Sequence, residues 1–235
     1  MQLFFAPELS TDHLEYIFDK EESKHIIKVL RKHEGDVLHI TNGLGKLFTS
    51  KITLASEKKC VVSIIEFTEV EPRSFRIHLA VAPTKMNERY EWFLEKATEI
   101  GIDEITPIIC DHSERKVVKN ERFEKIILSA VKQSNQLFVP RLNEPISFKE
   151  FVSKEHNGEL FIAHCDDKHK TALKSSFTPG GNYTLLIGPE GDFSSKEIDL
   201  ALSNNYRPVT LGNTRLRTET AAVVACHSFV FGNES

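Results

Sequence analysis

Two stretches in the last fifty or so residues of the chain hold the residues whose types and spacing could do chemistry. The first is Leu185-Leu186-Ile187-Gly188-Pro189-Glu190-Gly191-Asp192-Phe193. The second is Val209-Thr210-Leu211-Gly212-Asn213-Thr214-Arg215-Leu216-Arg217-Thr218-Glu219-Thr220-Ala221. Each reads as a short apolar strand running into a glycine turn and then a helix. Glycine lets the backbone turn at positive φ and lets a ligand approach the main chain. Glu190, Glu219 and Arg217 stand in these turns, so two carboxylates and a guanidinium accompany the exposed backbone. Two such turns at the carboxyl ends of strands in one sheet form the crevice where open α/β sheets bind ligands. Neither stretch contains G-x-G-x-x-G or a Walker lysine pattern. The residues alone therefore specify a ligand crevice, and two ordinary strand-to-helix turns would read the same way.

The elements that must position these side chains are legible locally. Pro189 fixes its own φ and biases Gly188 away from helix, which ends the first strand. Ser194 followed by Glu197 is a capping-box pattern, with Ile198, Leu200, Ala201 and Leu202 after it, so a helix starts just past Phe193. Thr218 reads as the N-cap of a helix carrying Ala221, Ala222, Val223, Val224 and Ala225. That helix is small and apolar on most sides, which suits burial close to other backbone.

Upstream, residues 1–72 read as a small β unit. Short strands are expected at Phe4-Phe5, 36–40, 45–52 and 60–67, with Asn42-Gly43 as a hairpin signal, and the spacing suggests a small barrel. One helix is expected over 23–32. Its Lys24, Lys28, Arg31 and Lys32 recur at helical spacing on one face, a row that fits either phosphate tracking or plain solvation. The polar, proline-containing run 69–74 marks the domain boundary. From there to residue 235, strands expected at 75–81, 105–110 and 160–165 alternate with helices at 89–100, 121–136 and 148–154. Alternation of this kind gives a mainly parallel sheet covered by helices, an α/β fold. Lys85, Arg89 and the Ser113-Glu114-Arg115-Lys116 run follow strand ends, where they form either a cationic rim or a solvated loop edge.

Composition narrows the classes. No run approaches the length of a membrane span, and the first residues lack a secretory signal, so the expected location is the cytoplasm with no membrane. Cys60, Cys110, Cys165 and Cys226 form no C-x-x-C, which argues against a zinc ribbon or dithiol site. His164-Cys165-Asp166-Asp167 with His169 holds metal-ligand types at a spacing that matches no closed site, and no metal is expected. The net charge of −4 counts mildly against a nucleic-acid partner, although a local basic footprint can still serve one.

Several of these residues together resemble a known family. Ile187-Gly188-Pro189-Glu190-Gly191, then Leu211-Gly212 and Leu216-Arg217-Thr218-Glu219-Thr220-Ala221, are similar to the carboxyl-terminal motifs of the bacterial 16S ribosomal RNA uridine-N3 methyltransferases, the RsmE family. Lys28-Val29-Leu30-Arg31 with Gly35-Asp36 resembles that family's amino-terminal motif. Glu95-Lys96-Ala97-Thr98-Glu99-Ile100-Gly101 with Pro107, and Gln133-Ser134 with Pro140, match it in between. The resemblance implies a PUA-like β-barrel over 1–72, followed over 73–235 by a SPOUT α/β domain with a carboxyl-terminal trefoil knot. It also implies S-adenosylmethionine as cofactor, a homodimer, and 16S ribosomal RNA in the small ribosomal subunit as partner. Two departures stand out. Asp192 replaces a usual second glycine, and Gln136 stands where an arginine is common.

Carried onto this chain, the resemblance assigns the cofactor to Leu186, Ile187, Gly188, Glu190, Gly191, Leu211, Gly212 and Leu216. Uridine N3 carries a proton that must leave, and either Glu190 or Glu219 could accept it or orient a water. Arg217 could stabilise charge on a uracil carbonyl or hold a phosphate, and a local ion pair between Arg217 and Glu219 would be the structural alternative. RNA contacts are expected from Lys24, Lys28 and Arg31 on the first helix and from Lys85, Arg89 and Arg115 on the rim.

Overall fold

The computed structural model describes residues 1–165 and 170–234. Asp166, Asp167 and His169, part of the candidate metal set, lie outside them. The chain divides into two compact units, one of Met1–Pro72 with Val131–Val139 and the other of Arg73–Ala130 with Pro140–Ser235.

The first unit is a five-stranded sheet built from β1 (Leu3–Phe5), β2 (Glu15–Ile17), β3 (Val37–Thr41), β4 (Lys46–Leu54) and β5 (Val61–Glu69), in the order β1-β3-β4-β5-β2. Among the described residues the end strands β1 and β2 do not pair with each other, so the sheet is an open half-barrel. Alternation along β4 turns Phe48, Ser50 and Ile52 inward, where they meet Phe4, Ile26, Leu38 and Val62. The Asn42-Gly43 signal does mark a hairpin, because β3 and β4 pair antiparallel. Asn42 Oδ1 holds the connecting loop by accepting from Leu44 N–H at 3.0 Å. The segment 131–139 adds to this unit through Gly45 N–H to Leu137 O and Val139 N–H to Gly43 O, at 2.9 and 3.0 Å.

The expected helix over 23–32 is differently built. An α-helix, α1, runs over Lys20–Lys24 behind an Asp19 cap, and a π-helical turn follows over His25–Val29. Leu30 N–H reaches back to His25 O, and Lys32 N–H to Ile26 O. Ser23 is pinned between Phe18 O and Cys60 N–H, and Ile26 is fully buried, so the wider turn accommodates two fixed points before the chain reverses at Arg31, φ 55. Lys24, Lys28 and Arg31 are exposed and Lys32 is half-buried. The four cations therefore do not share one regular α-helical face.

The second unit is an all-parallel sheet of β6 (Arg76–Val81), β7 (Glu104–Ile109), β8 (Arg141–Leu142), β9 (Ile146–Ser147), β10 (Glu159–Ala163), β11 (Thr171–Ala172), β12 (Asn182–Ile187) and β13 (Arg207–Thr210). The order is β11-β13-β10-β12-β6-β7-β8, with β9 beside β7. The helices are α2 (Asn87–Ile100), α3 (Asn120–Ser134, of which the residues from Val131 on are counted in the first unit), α4 (Phe148–Val152), α5 (Ser195–Ser203) and α6 (Thr218–Asn233). Helix α2 buries Tyr90, Phe93, Leu94 and Ala97 and stops at Gly101, whose φ of 107 favours a residue without Cβ. It packs on α6, which buries Ala222, Ala225, Cys226 and Phe229. Burying a side chain such as Phe229 contributes about 2 kcal/mol relative to leaving it in water. Cys60, Cys110 and Cys226 are buried free thiols and Cys165 is exposed. Among the described residues no helix is long and apolar enough to cross a membrane.

Candidate functional site

Strands β10, β12 and β13 are neighbours and run parallel, so their carboxyl ends open on one rim. A cavity of about 750 Å³ lies there. Its walls are the end of β10 with Ala163, His164 and Cys165, the first glycine loop, and the second loop from Val209 to Thr218, with Arg89, Lys170 and Ala221 at its edges. The size falls in the range of ligand pockets.

The first loop is held from several directions. Asp192 N–H bonds Pro189 O at 2.9 Å and closes a tight turn around Glu190 and Gly191. The capping box is present: Ser194 Oγ accepts from Glu197 N–H, and Glu197 Oε2 accepts from Ser194 N–H at 2.8 Å. The other Glu197 oxygen accepts from Asp111 N–H at 2.9 Å, and Ser194 Oγ donates to Asp111 Oδ2 at 2.6 Å. His112 Nδ1 stands 3.1 and 3.0 Å from Gly191 O and Asp192 O. Both neighbours are carbonyls, so Nδ1 must carry the proton. The loop after β7 thus braces the loop after β12.

Thr218 does something other than capping. The N-cap of α6 is Arg217, whose side chain makes no cap bond, and Thr218 is the first helical residue. Its hydroxyl donates instead to Gly188 O at 3.0 Å, tying the second loop to the first. A buried carbonyl at the end of β12 gains its partner this way. The second loop turns at Gly212, φ 139, where an added Cβ would meet nothing within 4 Å. Thr210 Oγ1 donates to Gly212 O at 2.8 Å and fixes that turn.

Of the residues expected to hold a cofactor, Ile187, Gly188, Glu190, Leu211, Gly212 and Leu216 line the cavity. Leu186 does not, because its side chain is fully buried in the core beside Phe193 and Ile198. Gly191 backs onto His112. Arg217 lines the cavity, is exposed, and has no ion pair among the described residues. The alternative of an Arg217–Glu219 pair is not what forms. Glu219 is 7% exposed and its Oε1 lies 3.8 Å from Arg89 Nε, while Oε2 has no partner among the described residues. Glu190 is exposed, and its Oε1 accepts from Lys85 N–H at 2.9 Å.

The rim cations divide. Arg89 lines the cavity. Lys85 turns its ammonium to Glu114 at 2.7 Å, which raises its pKa. Arg115 donates from Nε to Val117 O at 3.1 Å. Lys24, Lys28 and Arg31 belong to the first unit.

Sequence reasoning did not nominate His164 or Lys170 for the crevice, yet both line it. Lys170 Nζ donates to His164 O at 2.8 Å. The available signal was positional: a strand ending at Ala163 beside β12 must deliver its following residues to the same rim. The Cys165 thiol sits there with its pKa raised, first by partial burial and then by the charge of Asp192.

Residues 71–230 match the family described as RNA methyltransferase domain, and residues 18–65 the one described as RNA methyltransferase PUA domain. The chain is 31% identical to the ribosomal RNA small subunit methyltransferase E of Buchnera aphidicola subsp. Acyrthosiphon pisum, covering 90% of this chain and 86% of that one. A solved structure from Porphyromonas gingivalis, described as a probable rRNA-methyltransferase, superimposes with a TM-score of 0.89 at 39% identity, covering 97% of this chain and 98% of that one. The Neisseria gonorrhoeae ribosomal RNA small subunit methyltransferase E, solved bound to S-adenosylmethionine, superimposes with a TM-score of 0.83 at 26% identity, covering 96% and 95%.

Proposed function

The chain belongs to the ribosomal RNA small subunit methyltransferase E family, and from that premise we propose that it methylates N3 of a uridine in the decoding region of 16S ribosomal RNA, using S-adenosylmethionine. The preferred substrate is the assembled small subunit. The net charge of −4 disfavours tight binding to bare RNA and favours a shaped partner. The same proposal includes a homodimer and a trefoil-knotted threading of the last segment.

The observation that carries the reading is the crevice at the carboxyl rim, built from two glycine turns and tied across by Thr218 to Gly188. It fits the cofactor on its own terms. Gly212 presents open space where any Cβ would intrude, and the walls mix main-chain groups with Ile187, Leu211 and Leu216. Ile187, Gly188, Glu190, Leu211, Gly212 and Leu216 would hold it, with Leu186 and Gly191 shaping the turn. When bound, S-adenosylmethionine supplies an electrophilic methyl group that needs no activation.

The protein's work is then positioning and proton removal. Glu190 faces the crevice with one oxygen engaged by Lys85 N–H, leaving the other to take the uridine N3 proton. Arg217, unpaired among the described residues, answers the negative charge that builds on the uracil carbonyls as that proton departs. Glu219 lies behind Arg89 and acts through it, setting the guanidinium at the rim. N3 is on the pairing edge, so the base must be unpaired or flipped out to reach Glu190. Lys24, Lys28 and Arg31 supply phosphate contacts from the first unit.

The test is methylation of small subunits lacking the modification, with mass mapping of the product nucleoside. 3-Methyluridine at one decoding-region position is expected. A different modified base, or methylation of transfer RNA instead, overturns the substrate assignment. Glu190→Gln should lower kcat by about 100-fold, the scale of one general base, with cofactor Kd within threefold. Loss in Glu219→Gln with Glu190→Gln fully active would move the proton acceptor to Glu219.

A further inference from the structure

Asp192 occupies a position where backbone geometry alone calls for glycine. Its φ is 63, in the left-handed region that costs an ordinary residue strain and that aspartate and asparagine tolerate best. Glycine there would relieve the turn entirely. What glycine lacks is a carboxylate, and both oxygens of this one are engaged. Oδ1 accepts from Phe193 N–H at 2.9 Å, within the loop. Oδ2 accepts from Cys165 N–H at 2.7 Å, across the sheet.

Cys165 follows the neighbouring strand β10 by two residues, and Ala163, His164 and Cys165 form one wall of the crevice. Among the described residues no ladder bond reaches the Cys165 amide, because β10 stops pairing at Ala163, with Ile187 of β12 on one side and Val209 of β13 on the other. We propose that Asp192 is a positioning residue, a latch that holds the wall after β10 against the first glycine loop and so sets the width of the cofactor crevice. His112 secures the same loop from the opposite side through the Gly191 and Asp192 carbonyls. The loop is thereby fixed between two neighbours, and the Asp192 side is the one that faces the cavity. A charge-assisted bond at 2.7 Å is the strong kind, and it replaces by a side chain the pairing the sheet no longer provides. The crevice's role rests on the function proposed above; the latch itself does not.

The experiment uses the full chain labelled with ¹⁵N only at cysteine, which gives four amide signals. Amide exchange is followed without cofactor in the wild type, Asp192→Gly and Asp192→Asn. Calorimetric titration with S-adenosylmethionine follows on the same samples. The latch requires the Cys165 amide to be protected in the wild type and in Asp192→Asn, which keeps an acceptor and tolerates the left-handed turn. In Asp192→Gly its exchange should rise by about tenfold or more, the scale of one charge-assisted hydrogen bond, while Cys60, Cys110 and Cys226 stay protected and report an intact fold. Cofactor affinity should fall by about tenfold in Asp192→Gly and by less than threefold in Asp192→Asn. An Asp192→Gly protein that keeps Cys165 protection, or that binds S-adenosylmethionine as tightly as the wild type or tighter, overturns the proposal. If the wild type binds no S-adenosylmethionine while Asp192→Gly still releases the Cys165 amide, the latch stands and the cofactor reading of the crevice fails.

Discussion

The parallel sheet carries a cavity at each end of its strands, and the two differ in construction rather than size. The carboxyl rim holds about 750 Å³ and the amino rim about 720 Å³. The carboxyl-rim cavity is walled by glycine turns and leaves Arg217 with no ion pair among the described residues; Glu219, outside its lining, also has an Oε2 with no partner among them. The amino-rim cavity is floored by side chains that satisfy one another. Glu104, His78 and Thr184 form one cross-strand row in a sheet whose strands should be apolar throughout. His78 Nε2 meets Thr106 Oγ1 at 2.7 Å, and Asn143 Nδ2 donates to Glu104 Oε1 and Thr106 Oγ1, each at 2.7 Å. Volume does not separate the candidate site from the other cavity. Unspent hydrogen-bonding capacity beside exposed backbone does.

Substitutions can break that contrast. The largest effect is expected from Gly212→Val, which places a branched side chain in the open space at φ 139. S-adenosylmethionine affinity should fall by at least about 100-fold by calorimetry, with the melting temperature shifted only a few degrees, since the position is exposed and touches no core. Arg217→Ala should reduce kcat by about 100-fold on small subunits while cofactor Kd moves less than threefold, because the charge it is proposed to answer develops only during reaction. An equal loss in both quantities would make Arg217 a binding residue instead.

The smallest effect on activity is expected at the other rim. His78→Gln should leave kcat and KM at pH 7.5 within twofold. It should change the acid response, because burial pushes the His78 pKa down to about 4. An unfolded histidine takes a proton near pH 6.5, so the unfolded chain binds a proton that the folded chain refuses between these values. Stability from this group is unaffected above pH 6.5 and falls as pH drops toward 4, by roughly 3 kcal/mol in the limit. Glutamine does not titrate, so thermal melts of His78→Gln should decline less steeply across that window. A large activity loss at pH 7.5 would erase the contrast between the rims.

Much of the fold was legible because its signals are local. Pro189 stops β12, Gly101 stops α2 in the left-handed region, and Ser194 with Glu197 starts α5 by a capping box whose two bonds both form. Alternating strands and helices gave the parallel sheet. The π-turn at His25–Val29 was not legible, because Ser23 is fixed by Phe18 and Cys60 from other elements. Strand β2 and the short strands β8, β9 and β11 carry too few residues for periodicity to register. The site was half legible. The glycine turns announce a crevice, but the choice of Gly188 O by Thr218 over a cap depends on where β12 ends in space. Likewise, Arg89 rather than Arg217 faces Glu219, because α2 and α6 pack together and chain proximity does not decide between two arginines.

The register of the central sheet also governs when this protein can come into being. Strand β6 pairs with β12, Arg76 beside Asn182 and Val81 beside Ile187, across about a hundred intervening residues. Neither hairpin nor local crossover can close that gap, so the central pairing has high contact order and must wait for distant chain. During synthesis β6 and β7 emerge with one edge of β6 open, and an open edge is a template for pairing with other chains. The crevice, drawn from β10, β12 and β13, has no existence in that intermediate. The candidate crevice therefore arrives late and all at once, and a stalled nascent chain is an aggregation hazard rather than a partial enzyme.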